Sequence, residues 1–213
     1  MSGKDTMIPD AMRFTAELRE NNNRDWWQAN KARYDDGLKA PAMALLERLS
    51  GPLEELTGHP ATPKLFRPHR DVRFSKDKTP YHTHLHMLWS LAAGGRQDPV
   101  IFFGIDPEKV TVGAGVMQFE KDVLADWRRL LDLDAARFGT ALDAAWADGW
   151  SFWEPALKRV PPPYPKDHPM AEHLRRKGLV LHRPVDPASD PDQAILDAAR
   201  SAHPVLSLLD SVL

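Results

Sequence analysis

The chain has 213 residues and a formal net charge of −2, with 42% hydrophobic and 27% charged residues. This balance is typical of a globular protein with a core, and the length predicts one domain spanning residues 1–213. The sequence contains no cysteine, which excludes disulfides, thiolate catalysis and cysteine-bound zinc and favours a cytoplasmic location. The most apolar stretch, Val100 to Ile105, is far shorter than the roughly 20 residues that span a bilayer, so no membrane partner is expected.

Helical spacing dominates the first 60 residues. Apolar residues recur every three to four positions from Ala11 to Glu20. Asn22 is the predicted N-cap of a second helix, which carries the adjacent Trp26 and Trp27. Pro41 marks the first turn of a third helix with an apolar stripe. We therefore expect three separate helices in this part of the chain.

The middle of the chain changes to the alternation typical of strands. Val72 and Phe74 alternate with charged residues, and His82 to Leu91 alternates histidine with threonine or leucine before an apolar end at Trp89. Pro68 predicts an edge position or an irregular start for the first of these strands. VIFFGI and VTVGAGV follow as strands joined by a tight turn, which predicts antiparallel pairing. Gly113-Ala114-Gly115 in the last strand predicts a bulge or a close backbone approach.

The second half of the chain mixes helical and strand patterns. In chain order we predict helices at 121–131 and 134–148, a short strand at 150–153, a helix near 170–176, a strand at 179–182 and a helix at 193–202. The expected architecture is a single α+β domain in which an antiparallel sheet of about four to six strands packs with several helices.

The basic charge of the chain is concentrated in one segment. Between Lys64 and His86, six lysines and arginines accompany two aspartates, a local charge of +4 that attracts anions whatever the net charge. If the segment is a strand, Arg67, Asp71 and Arg73 point to one face and Arg70 points to the other. Two interpretations stay open: an anion site built from arginines, or an arginine–aspartate network that braces the fold.

The turn Ser75-Lys76-Asp77-Lys78 carries the groups best suited to chemistry. It matches S-x-x-K, in which a lysine activates a serine nucleophile, but the companion motifs S-D-N and K-T-G do not occur. A turn in which Ser75 and Asp77 bind backbone groups is the simpler interpretation. Lys78 is the predicted functional cation, and Asp77 is predicted to orient a cation or to act as a base.

Three histidines alternate along the chain at His82, His84 and His86. On a strand they share one face, so two of them together with His69 or an acid could ligate a metal ion. Solvated histidines on an exposed face are the favoured interpretation. The predicted site therefore includes no metal ligand, and no cofactor is named.

Two motifs carry a resemblance to known proteins. The first is the helix opening Asn22-Asn23-Arg24-Asp25-Trp26-Trp27 with Asn30-Lys31 and Tyr34, and the second is Arg70-Asp71-Val72-Arg73-Phe74-Ser75-Lys76-Asp77-Lys78-Thr79-Pro80-Tyr81. Both resemble motifs of DUF2461, an uncharacterised family of bacterial and fungal proteins, and the resemblance extends over nearly the whole chain. It implies family membership but no particular activity. His84 fits the family pattern, whereas His82 replaces a common lysine and His86 is an addition.

The predicted function is the binding of a small anionic ligand, phosphorylated or carboxylate, and whether a reaction follows is left open. The ligand-binding residues are predicted on the second motif, on the tryptophan helix and near the proline-rich segment: Arg70, Asp71, Arg73, Ser75, Lys76, Tyr81, Trp26, Asn30, Lys31, Tyr34 and Arg159. Lys78 and Asp77 are the predicted catalytic residues. The first alternative, a nucleic-acid-binding module using the same basic segment, is not favoured. The second is an interaction protein in which the motif only braces the fold. The oligomeric state is not predicted.

Overall fold

The computed structural model describes residues 6–92 and 94–213. Its helices are α1 (Met7–Glu20), α2 (Arg24–Tyr34), α3 (Ala40–Thr57), α4 (Lys121–Leu133), α5 (Ala135–Ala147), α6 (Ala171–Leu174) and α7 (Pro191–Asp210). Its strands are β1 (Ala61–Leu65), β2 (Leu85–Leu91), β3 (Val100–Ile105), β4 (Val110–Val116), β5 (Ser151–Phe152) and β6 (Leu179–Val185). None of the helices in the described part of the chain combines the length and apolar character needed to cross a lipid bilayer.

The strands form one sheet in the order β1-β2-β3-β4-β6-β5, and every neighbouring pair is antiparallel. Residues 106–109 link β3 to β4, because antiparallel strands can be joined by a tight turn. The α+β single-domain prediction and the antiparallel meander are confirmed. The register pairs Leu85 with Ile105 and His86 with Gly104, so the start of β2 lies beside the end of β3.

The core lies between one face of the sheet and the helices. Along β2, Met87 and Trp89 are fully buried while the alternating residues are half-exposed, as expected when only one face of a strand is covered. The Trp89 indole donates a hydrogen bond to the Leu46 carbonyl of α3 at 2.9 Å, which satisfies its polar atom in the core. Side chains on the opposite face of the sheet, such as His86, reach solvent.

The region before β1 differs from the prediction of three separate helices. α2 continues through a π-helical segment, Asp35–Lys39, directly into α3, so Pro41 lies in the first turn of α3 without a preceding loop. The N-cap of α2 is Asn23, whose side chain accepts a hydrogen bond from the Trp26 amide, and not Asn22. The Asn22 side chain instead binds the backbone of Tyr81.

The predicted strand around Val72 and Phe74 is wrong. Residues 66–84, which we call the motif loop, contain no strand, and a single bridge joins His69 to Tyr81. The alternation there does not correspond to a buried face, because Phe74 is 96% exposed. Pro68 and Pro80 interrupt the segment, and aspartate side chains occupy backbone donors that a strand would need. As a consequence, β2 begins at Leu85 and not at His82.

Most other predicted elements are present, and their ends differ from prediction by several residues. α1 begins before Ala11, β6 extends to Val185, and α7 extends to Asp210, well past the predicted 202. Gly115 has a φ of +120°, and a Cβ built there would lie 2.0 Å from the Leu179 carbonyl oxygen. The close backbone approach predicted for the glycine motif is therefore confirmed, and it lets β4 pair with β6.

Candidate functional site

The motif loop is closed at its base and fastened to the helices. The Arg70 amide donates to the Pro80 carbonyl at 2.9 Å, and the His82 amide donates to the Pro68 carbonyl at 2.7 Å. Asn22 donates through its side-chain amide to the Tyr81 carbonyl at 2.9 Å and accepts from the Tyr81 amide at 3.1 Å. This two-way pairing holds the base of the loop at the turn between α1 and α2.

Aromatic packing reinforces the same anchor. Tyr81 is 4% exposed and stacks on Trp27 with ring centroids 4.4 Å apart and an interplanar angle of 17°. His69 contacts both rings edge-on. The tryptophan that supports the motif loop is thus Trp27, whereas Trp26 packs against Phe14 of α1.

Asp77 is held as an anion by groups within the loop. Its carboxylate accepts hydrogen bonds from the Thr79 amide at 2.9 Å and hydroxyl at 3.0 Å, and from Arg70 Nη1 at 2.6 Å. The Thr79 backbone bond and then Arg70 lower the pKa of Asp77 to about 2. A carboxylate with so low a pKa is a weak base near neutral pH, so this environment suits a fixed charge better than proton transfer.

Lys78 and the Asp71–Arg73 pair also make contacts inside the loop. The Lys78 ammonium donates to the Val72 carbonyl at 2.9 Å. Asp71 accepts hydrogen bonds from the Arg73 guanidinium and from the Arg73 backbone amide, and the first of these and then the second lower the pKa of Asp71. Ser75 donates its backbone N–H to Val72, and no described hydrogen bond joins its hydroxyl to Lys78. The S-x-x-K match therefore gains no geometric support.

A polar cleft of about 330 Å³ opens beside the base of the motif loop. Its lining comes from the end of α1, the asparagine turn, the loop and the approach to β2: Arg19, Asn22, Arg70, Asp77, Thr79, Tyr81, His82, Thr83 and His84. Arg19 is also held by Glu108 of the β3–β4 turn at 2.8 Å. Three predicted site residues, Arg70, Asp77 and Tyr81, thus lie in one cleft with residues of α1 and of the asparagine turn, which are distant in sequence.

Arg70 is the cation best placed in this cleft. Its Nη1 binds Asp77, the Thr79 carbonyl at 3.1 Å and the Thr79 hydroxyl. Among the described residues, no group accepts a hydrogen bond from its Nε or Nη2, and its side chain is 22% exposed. One edge of the guanidinium is therefore fixed by the protein while the other donors point to no partner.

Several residues predicted for the site do not line the cleft. Trp26, Asn30, Lys31 and Tyr34 of α2 and Arg159 are absent from its lining. Asn30 donates to the Trp26 carbonyl, Lys31 pairs with Asp35, and Tyr34 lies in the core, where burial raises its pKa to about 12. The four α2 side chains therefore have structural partners, and it is Trp27 of this helix that contacts the motif loop.

Asn22, Arg19 and His82 are cleft residues that sequence reasoning missed as site residues. Asn22 was interpreted as a helix cap, since an asparagine before a helix most often has that role. Arg19 has no motif around it. For His82, the basic charge of the surrounding segment was the available signal in the sequence. Burial first, and then Arg70 and Arg67, lower the pKa of His82.

The three histidines form a continuous stack. Their ring centroids are 4.8 Å apart between His82 and His84 and 3.6 Å apart between His84 and His86. They are half-buried and partly exposed to solvent, and burial lowers the pKa of His86 to about 3. Asp106 lies beside them, with Oδ1 at 3.8 Å from His86 Nε2.

The family model of the conserved hypothetical proteins DUF2461 matches residues 10–207. The chain belongs to the DUF2461 family. The matched residues include the motif loop, the asparagine turn and every strand of the sheet, which confirms the resemblance seen in the two motifs. No curated protein matches this DUF2461 chain.

Proposed function

We propose that this DUF2461 protein binds a small anionic ligand, carrying a phosphate or a carboxylate, in the cleft beside the motif loop. The observation that carries the proposal is that only one nitrogen of the Arg70 guanidinium, Nη1, has hydrogen-bond acceptors among the described residues. Asp77 and Thr79 fix its Nη1 edge, and its Nε and Nη2 donors have no described acceptor. An arginine oriented in this way offers the planar fork that carboxylate and phosphate bind with two hydrogen bonds.

The charges near Arg70 support an anionic ligand. Arg70 and Arg19 line the cleft together with one carboxylate, Asp77, and Glu108 pairs with Arg19. Arg67, which acts electrostatically on His82 from nearby, leaves the positive charges in excess. The volume of about 330 Å³ falls at the low end of the range for small-molecule pockets, roughly 300–1,000 Å³. The cleft therefore suits a small metabolite.

Calorimetric titration with inorganic phosphate, in EDTA and at constant ionic strength, tests the proposal on three proteins. Arg70→Lys keeps a positive charge near Asp77 but loses the fork, so its Kd for phosphate is expected to rise about tenfold or more. Arg73→Lys makes the same chemical change in the exposed pair with Asp71, where the side chain is 77% exposed, and should leave the Kd unchanged. Equal weakening in both variants, or no saturable binding by the wild type, contradicts the proposal.

A second candidate function is supported by two exposed aromatic side chains beside cations. Phe74 is 96% and Phe66 is 38% exposed. Arg73 lies over the Phe74 ring at 5.9 Å and Lys64 over the Phe66 ring at 5.1 Å. Single-strand binders stack bases on exposed aromatics next to basic groups, which supports single-stranded nucleic acid as the alternative ligand of this region.

Fluorescence anisotropy with a single-stranded oligonucleotide tests this candidate. Phe74→Ala is expected to weaken binding about tenfold, since stacking of one base contributes about 1–3 kcal/mol, and affinity should fall as salt rises. Trp146→Ala removes another exposed aromatic, 66% exposed on α5, and should have no effect. Binding that responds equally to both substitutions, or that is absent at low salt, argues against the candidate.

The contacts of Lys78, Asp71 and Arg73 inside the loop support the other alternative, a bracing role for part of the motif. The catalytic roles of Lys78 and Asp77 and the cytoplasmic location stay predictions. The anion proposal needs only Arg70 and its neighbours in the cleft, so it is compatible with a motif that is partly structural.

A further inference from the structure

We propose that His84, His86 and Asp106 bind a divalent transition-metal ion at the edge of the cleft. The proposal concerns a site beyond the anion contacts of Arg70 and does not depend on them. It starts from the register of the sheet. β2 begins at Leu85, which pairs with Ile105, the last residue of β3. His84 precedes Leu85 and Asp106 follows Ile105, so in this antiparallel pair His84 and Asp106 are neighbours.

The three side chains lie close enough together to share one ion. One ligand atom from each of His84, His86 and Asp106 lies within 4.8 Å of the other two. Atoms bound to a single zinc ion at about 2.0–2.2 Å lie roughly 3–3.5 Å from one another. The imidazoles of His84 and His86 are stacked at 3.6 Å and 13°, so binding one ion requires the two rings to turn out of the stack until their nitrogen lone pairs converge.

The polar atoms of this cluster also lack other partners. His59 and His168 each place a ring nitrogen within about 3.2 Å of a carboxylate, Asp210 and Asp132 respectively. In the described part of the chain, no hydrogen bond is made by the rings of His84 and His86 or by the Asp106 carboxylate, and the closest approach is 3.8 Å. All three side chains are partly exposed to solvent, so a cation can bind them without displacing a hydrogen bond within the protein.

The donor set selects the class of metal. Two imidazoles and one carboxylate suit zinc, ferrous iron, cobalt or manganese, whereas magnesium and calcium prefer oxygen ligands only. Three protein ligands leave at least one coordination position open. His84 lines the cleft together with Arg70, so the proposed metal site adjoins the proposed anion site.

The test uses the full chain, stripped with EDTA and then freed of chelator, and titrates Zn²⁺ or Co²⁺ alone without any anionic ligand. We expect one equivalent of Co²⁺ to bind with a visible absorption band and Zn²⁺ to raise the Tm. Asp106→Asn, which keeps the shape of the side chain, and His84→Gln should each weaken Co²⁺ binding about tenfold or more. His182→Gln is the matched control, because His182 lies on the same open face of the sheet, opposite Gly113.

The outcomes separate the two proposals. Absence of a one-to-one complex, or a complex that survives both Asp106→Asn and His84→Gln, overturns the metal site. Equal loss in His182→Gln overturns it as well, since binding would then be a general property of surface histidines. Arg70→Lys should keep the Co²⁺ band while losing phosphate binding in EDTA, so either proposal can fail without the other.

Discussion

Asn22 connects two parts of the chain that are 59 residues apart. Its side chain satisfies both the N–H and the C=O of Tyr81, at a place where neighbouring Asn23 caps α2. Two consecutive asparagines of the same sequence motif therefore have different roles. One stabilises a helix end, and the other places the motif loop.

Asn22→Ala is expected to lower the free energy of unfolding by about 1–3 kcal/mol, because it leaves two partly buried backbone groups without partners. The substitution should also increase proteolytic cleavage within the motif loop. Asn23→Ala is the control: loss of an N-cap costs about 1 kcal/mol but should leave cleavage in the loop unchanged. Urea unfolding and limited proteolysis with mass spectrometry provide the two measurements. Equal cleavage of the loop in both variants would show that Asn22 is not its anchor.

At the scale of elements, the short helix α6 carries a buried titratable group. Burial, and then the charge of Arg176, lowers the pKa of His173 to about 4. Its Nδ1 is buried without a hydrogen-bond partner among the described residues. His173 is therefore neutral in the folded protein at pH values where it is already protonated in the unfolded chain.

The sign of the pH dependence follows from that difference. The unfolded chain binds a proton below about pH 6.5, while the folded protein resists it until the pH nears 4, so stability is lost as the pH falls through this window. The loss reaches at most about 3 kcal/mol. His173→Gln should flatten the fall in Tm between pH 7 and pH 4.5. Leu174→Val, a non-titrating change at the next residue, should lower Tm at both pH values without flattening it, and an unchanged slope in His173→Gln would refute the assignment.

The elements also show what sequence patterns can predict. α4 and α5 were predictable because their helical periodicity continues over enough residues to define a buried face, and β3 and β4 because each is a short apolar run bounded by turn residues. The motif loop was mistaken for a strand because Val72 and Phe74 alternate with charges, although Asp71 and Asp77 bind backbone donors. Local alternation carries no information about such side-chain competition for the backbone.

The site was predictable only in part, for a related reason. Arg70 and Asp77 lie in one continuous motif, so the charge of the segment located them. Asn22 and Arg19 reach the cleft through contacts with residues far along the chain. Asp106 became visible as a neighbour of His84 only through the register of β2 and β3, which depends on the turn between them.

At the scale of the whole molecule, the sheet is covered by helices on one face and partly open on the other. The cleft and the histidine stack lie where β2 begins, beside the turn that joins β3 to β4. The net charge of −2 hides this arrangement, because acidic residues elsewhere balance the basic motif loop. The net charge is therefore a poor guide to the ligand of the cleft, because ligand binding there depends on the local positive potential of the motif loop.

The single bridge between His69 and Tyr81 has an energetic consequence for any ligand at Arg70. Closing a flexible segment of about this length costs roughly 2 kcal/mol of chain entropy. Here the hydrogen bonds of Asn22, the stacking of Tyr81 on Trp27 and the bridge offset this entropy loss when the protein folds. A ligand then meets a preorganised guanidinium, so its contact energy appears as affinity rather than being used to order the polypeptide.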